Sequence, residues 1–132
     1  MAKKTILIIG NELITNKALK DALEDAGFKT VDSRTAENGL EKAKKTHPAL
    51  IVLDLYLPKM DGITILRELR KNRWGKNVFV LILTTKKINS NAIDEAERHP
   101  YVSSYNLKSE NDVDDVVRMV KERMSWEKWK KT

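Results

Sequence analysis

The sequence of 132 residues contains no cysteine, and this absence excludes a whole class of chemistry. Disulfide bonds, thiolate nucleophiles and cysteine-based metal sites are all ruled out. A chain without cysteine suits a reducing compartment, so we expect a cytoplasmic protein. Histidine is also scarce. His47 and His99 each precede a proline in a predicted loop, and they are too isolated to form a metal pair.

Long apolar runs are missing as well. The longest continuous run, residues 78–83, is far shorter than a membrane-spanning helix. The apolar segment behind Lys3 and Lys4 is too short for a signal peptide. The length suits one folded domain and leaves no room for a second. We therefore expect a single domain over residues 1–132, without membrane contact.

The pattern of glycines and the distribution of charge argue against two further classes of ligand, nucleotides and nucleic acids. Gly10 stands alone, without the neighbouring glycines of a Gly-x-Gly-x-x-Gly or Walker pattern, which disfavours nucleotide binding. The net charge is +6, but acidic residues are mixed with the basic ones in most predicted helices, as on an ordinary solvated surface. No nucleic-acid-reading motif is present, so we expect no nucleic-acid partner.

The densest basic stretch lies in residues 121–132. Within it, residues 125–132 are predicted to form a basic helical extension that carries Trp126 and Trp129. The simplest interpretation of the two tryptophans is packing or an amphipathic surface. The alternative is a docking site for a partner or a homodimer contact.

Five short apolar runs alternate with five amphipathic stretches along the chain. The runs predict strands over residues 5–9, 28–33, 49–53, 78–83 and 102–107. The amphipathic stretches predict helices over residues 13–26, from a cap at Ser33 or Thr35 to His47, from Gly62 to about Lys71, over about 89–98, and over 112–129. In the first of these helices, Leu13 and Ile14 count among the apolar positions of the amphipathic pattern.

This alternation implies an α/β domain with a parallel sheet that helices cover on both faces. We expect the flavodoxin-like (βα)5 arrangement, with strand order 2-1-3-4-5 and a switch point between strands one and three. That order places Gly10, Asn11 and Glu12, at the end of strand one, beside Asp54 at the end of strand three.

Asp54 is the most informative single residue. It follows an apolar run without polar alternation, residues 49–53, of the kind that is buried on both faces of a sheet. A carboxylate there is costly to desolvate unless it faces a crevice, and ligands bind in that crevice in open α/β sheets. The alternative is an acid that only caps a helix or a turn.

Asp54 and the loop behind it, Pro58-Lys59-Met60-Asp61-Gly62, resemble the phosphoacceptor region of receiver domains of two-component response regulators. The resemblance implies that a histidine kinase or a phosphotransfer protein phosphorylates Asp54. It also matches Thr84 at the end of strand four and Lys108 at the end of strand five. Tyr105, three residues before Lys108, matches the aromatic residue of the family.

The resemblance implies a role for each of these residues. The Asp54 carboxylate attacks phosphorus, and Lys108 together with the Thr84 hydroxyl neutralises the transferred phosphoryl group. Thr84 then moves and Tyr105 turns, which changes the surface of the fourth predicted helix, the fifth strand and the fifth predicted helix. We expect a downstream protein partner to bind that surface.

The departure from the family lies at the end of strand one. Receiver domains place two acidic residues there to hold Mg²⁺, whereas this chain has Gly10 and Asn11, followed by Glu12. The ligands that remain are Asp54 and the backbone carbonyl of Tyr56, with Asn11 and Glu12 as weak candidates. Mg²⁺ is usually held through one or two carboxylates, so we expect weakened binding.

Two hypotheses follow. The first is a stand-alone response regulator receiver domain, not an enzyme, which accepts a phosphoryl group on Asp54 in a phosphorelay and signals through protein contacts. The second is a divergent receiver that serves as a phosphorylation-independent interaction module. A flavodoxin-like binder of a small molecule is a third, less favoured interpretation.

Overall fold

The computed structural model describes residues 3–54, 62–84, 98, 101–106 and 112–130. The strands are β1 (Thr5–Ile9), β2 (Lys29–Ser33), β3 (Leu50–Asp54), β4 (Phe79–Thr84) and β5 (Val102–Asn106). The helices of this part of the chain are α1 (Leu13–Asp25), α2 (Ala36–Thr46), α3 (Gly62–Lys71) and α4 (Val113–Lys130), with a 3₁₀ turn at Trp74–Lys76.

These elements confirm the predicted architecture. The strands form one parallel sheet with the order β2-β1-β3-β4-β5. The predicted helix over about 89–98 lies outside the described residues, apart from position 98. The last predicted helix corresponds to α4, which continues as far as Lys130. Within the described part of the chain, no helix is both long enough and apolar enough to cross a membrane.

The inner strands β1, β3 and β4 are buried on both faces, as their uninterrupted apolar runs predict. Alternate residues of each strand point to opposite faces, so that neighbouring residues of β3 enter different clusters. Ile51 and Leu53 pack in the cluster with α2 and α3, and Val52 packs in the cluster with α1 and α4. All three side chains are buried. This arrangement holds β3 at the centre of the sheet with Asp54 at its carboxyl end.

Local sequence signals fix the ends of the helices. The Thr35 hydroxyl accepts a hydrogen bond from the backbone N–H of Asn38 at 3.2 Å, which caps α2. His47 ends that helix in the left-handed conformation, with φ of 45°. Gly27 follows α1 with φ of 99°, a conformation that glycine adopts without steric cost.

The buried face of α1 differs from the face that the apolar pattern suggests. Leu13 and Ile14 are 59% and 69% exposed, whereas Asn16 is only 3% exposed. Asn16, Leu19 and Leu23 are spaced three and four residues apart, so they share the face that packs against the sheet. The two exposed residues belong to the first turn of the helix, and they remain outside the core.

Arg70 fastens the connection between α3 and β4. Its Nη1 donates hydrogen bonds to the backbone carbonyls of Gly75, at 2.7 Å, and Val78, at 2.8 Å. Burial lowers the pKa of Arg70, and the nearby Tyr101 phenol acts in the opposite direction. The guanidinium stays charged near neutral pH, because an arginine pKa starts far above that range. One side chain therefore holds the turn that leads into β4.

We expect Arg70→Met to lower the free energy of unfolding by about 1–3 kcal/mol, because two partly buried carbonyls lose a charged donor. Urea unfolding measures the effect. The matched control is Arg73→Met, since Arg73 is exposed at the same turn and should change stability by no more than about 0.5 kcal/mol. Equal losses in the two variants would contradict the bracing role of Arg70.

Candidate functional site

The carboxyl ends of β1 and β3 lie side by side, as the strand order requires. Ile9 pairs with Leu53, so Gly10 stands beside Asp54 where the chain leaves the sheet. The backbone N–H of Gly10 donates to the Ser33 carbonyl at 3.0 Å, which holds it against the end of β2. Asp54 is half-buried and pairs with Leu83 of β4 on its other side. The pairing of β3 with its neighbours thus fixes the backbone of Asp54 in the sheet.

Asp54 borders a small crevice at this switch point. The polar lining residues are Asp54, Glu12, Thr15 and Asn16, and Gly10 closes one side; the apolar lining residues are Ile8, Ile9, Leu19, Val52 and Leu83. The crevice has a volume of about 20 Å³, which suits about one water molecule. The site is therefore narrow, with a few polar groups on a mainly apolar lining.

Asn16 fills much of the space beside Gly10. Its Nδ2 donates a hydrogen bond to the Gly10 carbonyl at 2.6 Å, and the side chain is buried. A Cβ atom placed on Gly10 would stand 2.6 Å from Asn16 Oδ1 and 3.7 Å from Asp54 Cβ. Asn16 can therefore take this position because Gly10 has no side chain.

Sequence reasoning missed Asn16 as a residue of the site. The available signal was its spacing, because Asn16 falls on the same helical face as Leu19 and Leu23. A polar residue on the buried face of a helix needs a hydrogen-bond partner. Here that partner is a backbone carbonyl of the adjacent strand end.

The two weak metal-ligand candidates lie in different places. Glu12 lines the crevice, but it is exposed, and its Oε2 accepts a hydrogen bond from the Thr15 hydroxyl at 3.2 Å. Its backbone carbonyl accepts from the N–H of Asn16 at 2.9 Å, at the start of α1. Asn11 is exposed and is not among the described residues that line the crevice.

The structure describes the backbone of two other predicted site residues. Thr84 ends β4, the strand next to Asp54, and pairs with Asn106 of β5. Tyr105 lies on β5 opposite Leu83. Their strands therefore bring both residues to the same edge of the sheet as Asp54. Lys108 and Tyr56 lie outside the described residues.

Comparison with known proteins places this geometry in a family. Residues 6–102, a range that includes Asp54 and Thr84, match the family described as "Response regulator receiver domain". The chain belongs to the response regulator receiver family. A receiver domain protein (CheY-like) from Methanospirillum hungatei JF-1 has the same fold, with a TM-score of 0.83 and 22% identity over 98% of this chain and 99% of that one.

Two further relatives are similar to this receiver domain. The phosphorylated cyanobacterial phytochrome response regulator RcpA has 26% identity and a TM-score of 0.77, over 92% of this chain and 93% of its own. The alkaline phosphatase synthesis transcriptional regulatory protein PhoP of Bacillus subtilis is 36% identical over 84 residues, 64% of this chain. That match covers 34% of PhoP, so this chain spans about a third of the length of such curated relatives.

Receiver domains generally bind Mg²⁺ in an acidic pocket, but the crevice of this chain suits the ion poorly. The described residues contain no group of three or more His, Cys, Asp or Glu placed to hold a metal. Gly10 offers no side-chain ligand, and Asn16 presents a neutral amide in the adjacent space. Mg²⁺ requires near-ideal octahedral oxygen coordination. The crevice has room for about one water molecule, and among the described residues Asp54 is the carboxylate that a strand end places beside it. This arrangement does not meet the requirement.

Proposed function

We propose that this chain is a receiver domain that accepts a phosphoryl group on Asp54 in a phosphorelay and transmits the signal through protein contacts. The observation that carries the proposal is the position of Asp54. It stands at the carboxyl end of the central strand β3, on the crevice between the ends of β1 and β3. Ligands and reactive groups bind at this switch point in doubly wound sheets. The phosphorylated state named for RcpA, a relative of the same fold, supports this chemistry.

The reaction is a transfer between a donor and the Asp54 carboxylate. One carboxylate oxygen attacks phosphorus as the bond to the donor breaks, which yields an acyl phosphate. In this proposal Lys108 supplies a cation and the Thr84 hydroxyl donates to a phosphoryl oxygen. Such preorganised donors stabilise the charge that develops on the phosphoryl oxygens. Tyr105 then repacks, and the partner surface changes.

Mg²⁺ remains part of this proposal as a weakly bound cofactor. Asp54 and the Tyr56 carbonyl are its proposed ligands, and Glu12 is the weak candidate that lies at the crevice. Asn11 stays a candidate by family resemblance alone. When bound, the ion would neutralise negative charge near the phosphoryl group.

The proposed phosphodonor is a sensor histidine kinase or a phosphotransfer protein, and the surface beside the crevice suits such a partner. Leu13 and Ile14 are the large apolar side chains that stand exposed among the described residues. They belong to the same first turn of α1 as Thr15, which lines the crevice. A donor protein that reaches Asp54 would cover this turn, and burial of apolar area would stabilise the complex.

We expect Ile14→Ala to slow phosphoryl transfer from a protein donor roughly tenfold, because the complex loses buried apolar area worth about 1–2 kcal/mol. Transfer from acetyl phosphate should keep its rate, since a small donor needs no docking surface. Parallel time courses with the two donors, followed by intact-protein mass, measure the difference. Equal slowing with both donors would place the defect at Asp54 and contradict the docking role.

The proposed output surface is formed by the helix predicted over about residues 89–98, by β5 and by α4, which corresponds to the fifth predicted helix. β5 is an edge strand of the described sheet, and α4 packs against the sheet through Val113, Val116 and Val120. The basic C-terminal segment, residues 125–132, adds a further candidate contact for a partner or a homodimer. We also propose that the domain acts in the cytoplasm.

A second candidate function is a phosphorylation-independent interaction module. The observation that favours it is the crevice itself, which Asn16 fills beside Asp54 and which offers few acidic ligands. Intact-protein mass after incubation with acetyl phosphate and Mg²⁺ separates the two functions. A phosphate-sized gain that requires Asp54 supports the receiver activity, and its absence with both small and protein donors supports the interaction module.

A further inference from the structure

Gly10 and Asn16 are in direct contact at the crevice, and we call them the Gly10–Asn16 pair. The Asn16 amide donates to the Gly10 carbonyl at 2.6 Å, so the two residues are joined by a buried hydrogen bond. A Cβ atom on Gly10 would stand only 2.6 Å from Asn16 Oδ1, a separation that requires something to shift. A side chain at position 10 would therefore displace the end of the Asn16 side chain, and truncation of Asn16 would remove the hydrogen bond to the Gly10 carbonyl.

The pair disfavours an acid at either position, sterically at position 10 and electrostatically at position 16. The Cβ of an aspartate at position 10 would lie 3.7 Å from Asp54 Cβ and 2.6 Å from Asn16 Oδ1, so the acid would compete with Asn16 for the space beside Asp54. A carboxylate at position 16 would meet the Gly10 carbonyl oxygen without a proton to donate, and it would stand in a buried place. The neutral amide satisfies the carbonyl and adds no charge beside Asp54.

We propose that Asn16 occupies the position from which a second carboxylate would coordinate a cation beside Asp54, and that the Gly10–Asn16 pair thereby weakens the binding of divalent cations in the crevice. The remaining volume, about 20 Å³, then holds water in place of a metal ion. This inference rests on the proposed function only in that Asp54 is the reacting group. The affinity for cations is a property of the protein before any phosphoryl transfer.

A double-mutant cycle tests the coupling between positions 10 and 16 directly. The four proteins are the wild type, Gly10→Asp, Asn16→Ala and Gly10→Asp/Asn16→Ala. For each full-length protein, isothermal titration calorimetry measures the dissociation constant for Mg²⁺, and Mn²⁺ titration by electron paramagnetic resonance provides a second measurement. Urea unfolding without added metal records stability, so that loss of folding is not mistaken for loss of binding.

We expect strong coupling between the two positions. Gly10→Asp alone should unfold at lower urea concentration than the wild type, because its Cβ conflicts with the Asn16 side chain. The double variant should bind Mg²⁺ at least about tenfold more tightly than the wild type and than Asn16→Ala, because two carboxylates then face one vacated space. The proposal is overturned if Gly10→Asp alone is as stable as the wild type and binds the ion as tightly as the double variant. It is equally overturned if a folded double variant gains no affinity.

Asn16→Asp provides a second route if the double variant does not fold. This variant keeps the size of the side chain and adds a charge, so Mg²⁺ should raise its unfolding midpoint by more than it raises the wild-type midpoint at the same ion concentration. The matched control is Asn72→Asp. Asn72 also donates its amide to a backbone carbonyl, that of Glu68 at 3.0 Å, but it follows α3 at the opposite end of the sheet.

Greater stabilisation of Asn16→Asp than of the wild type and of Asn72→Asp supports the role of Asn16 in weakening cation binding. Equal stabilisation of Asn72→Asp, or none of Asn16→Asp, would overturn it. These measurements use no phosphodonor, so their outcome is independent of whether Asp54 accepts phosphate. If the cycle shows the expected coupling but the wild type gains no phosphate, the proposed function fails while the role of Asn16 stands.

Discussion

Asp54→Asn is expected to abolish the phosphate-sized mass gain that the wild-type protein shows after incubation with acetyl phosphate and Mg²⁺. The amide has nearly the shape of the carboxylate but lacks its nucleophilic oxygen, so no acyl phosphate forms. Because the half-buried side chain stands at the end of β3, the substitution should leave the sheet intact. Intact-protein mass spectrometry measures the difference, and a high Mg²⁺ concentration offsets the poor fit of the crevice.

Asp32→Asn is the matched control for that experiment. Asp32 precedes the last residue of β2, near the same edge of the sheet, but it is not among the described residues that line the crevice. This variant should gain phosphate as the wild type does. A gain in Asp54→Asn would place the phosphoacceptor elsewhere. No gain in the wild type, with acetyl phosphate and with protein donors, would leave the interaction module as the function that the crevice supports.

Ile51→Ala is expected to lower the free energy of unfolding by about 2–5 kcal/mol. Ile51 is fully buried in the central strand β3, where it packs in the cluster beneath α2 and α3. Removal of its outer atoms takes away apolar contacts and leaves a cavity that close-packed neighbours cannot fill. Since domains of this kind are stable by about 5–15 kcal/mol in total, such a loss is large.

Ile14→Ala removes the same atoms from the surface and is the control for Ile51→Ala. Ile14 is 69% exposed, so its truncation should change stability by no more than about 0.5 kcal/mol. Urea unfolding of both variants, followed by circular dichroism, gives the two values. Similar losses would contradict the structure, in which Ile51 is buried and Ile14 is exposed. The near-wild-type stability of Ile14→Ala is also what makes its effect on phosphoryl transfer interpretable as lost docking.

Most of the fold follows from local patterns in the sequence. The strand predicted over residues 5–9 coincides with β1, and the predicted capping residue Thr35 does cap α2. β2 begins one residue later than predicted, β3 and β4 are each shifted by one residue toward the C-terminus, and β5 begins at the predicted residue. Apolar runs without alternation indicate strands buried on both faces, and alternation with helices leaves few arrangements for a parallel sheet.

The sequence also predicted part of the set of residues that meet at the candidate site. Gly10 and Glu12 do lie beside Asp54, because the order of the strands brings the ends of β1 and β3 together. Thr84 and Tyr105 lie on neighbouring strands at the same edge, by their backbone positions. The roles of these residues, and those of Lys108 and the Tyr56 carbonyl, remain proposals.

The sequence by itself therefore determined the elements of this protein, their order in the sheet and the place of Asp54, because these depend on periodicity and on chain connectivity. Only the tertiary structure decided that Asn16 turns inward while Leu13 and Ile14 stay exposed. Periodicity defines a helical face, but burial depends on which turn of the helix lies against the sheet. The absence of a Cβ atom at Gly10 leaves a space, and the amide of Asn16 occupies it from another element.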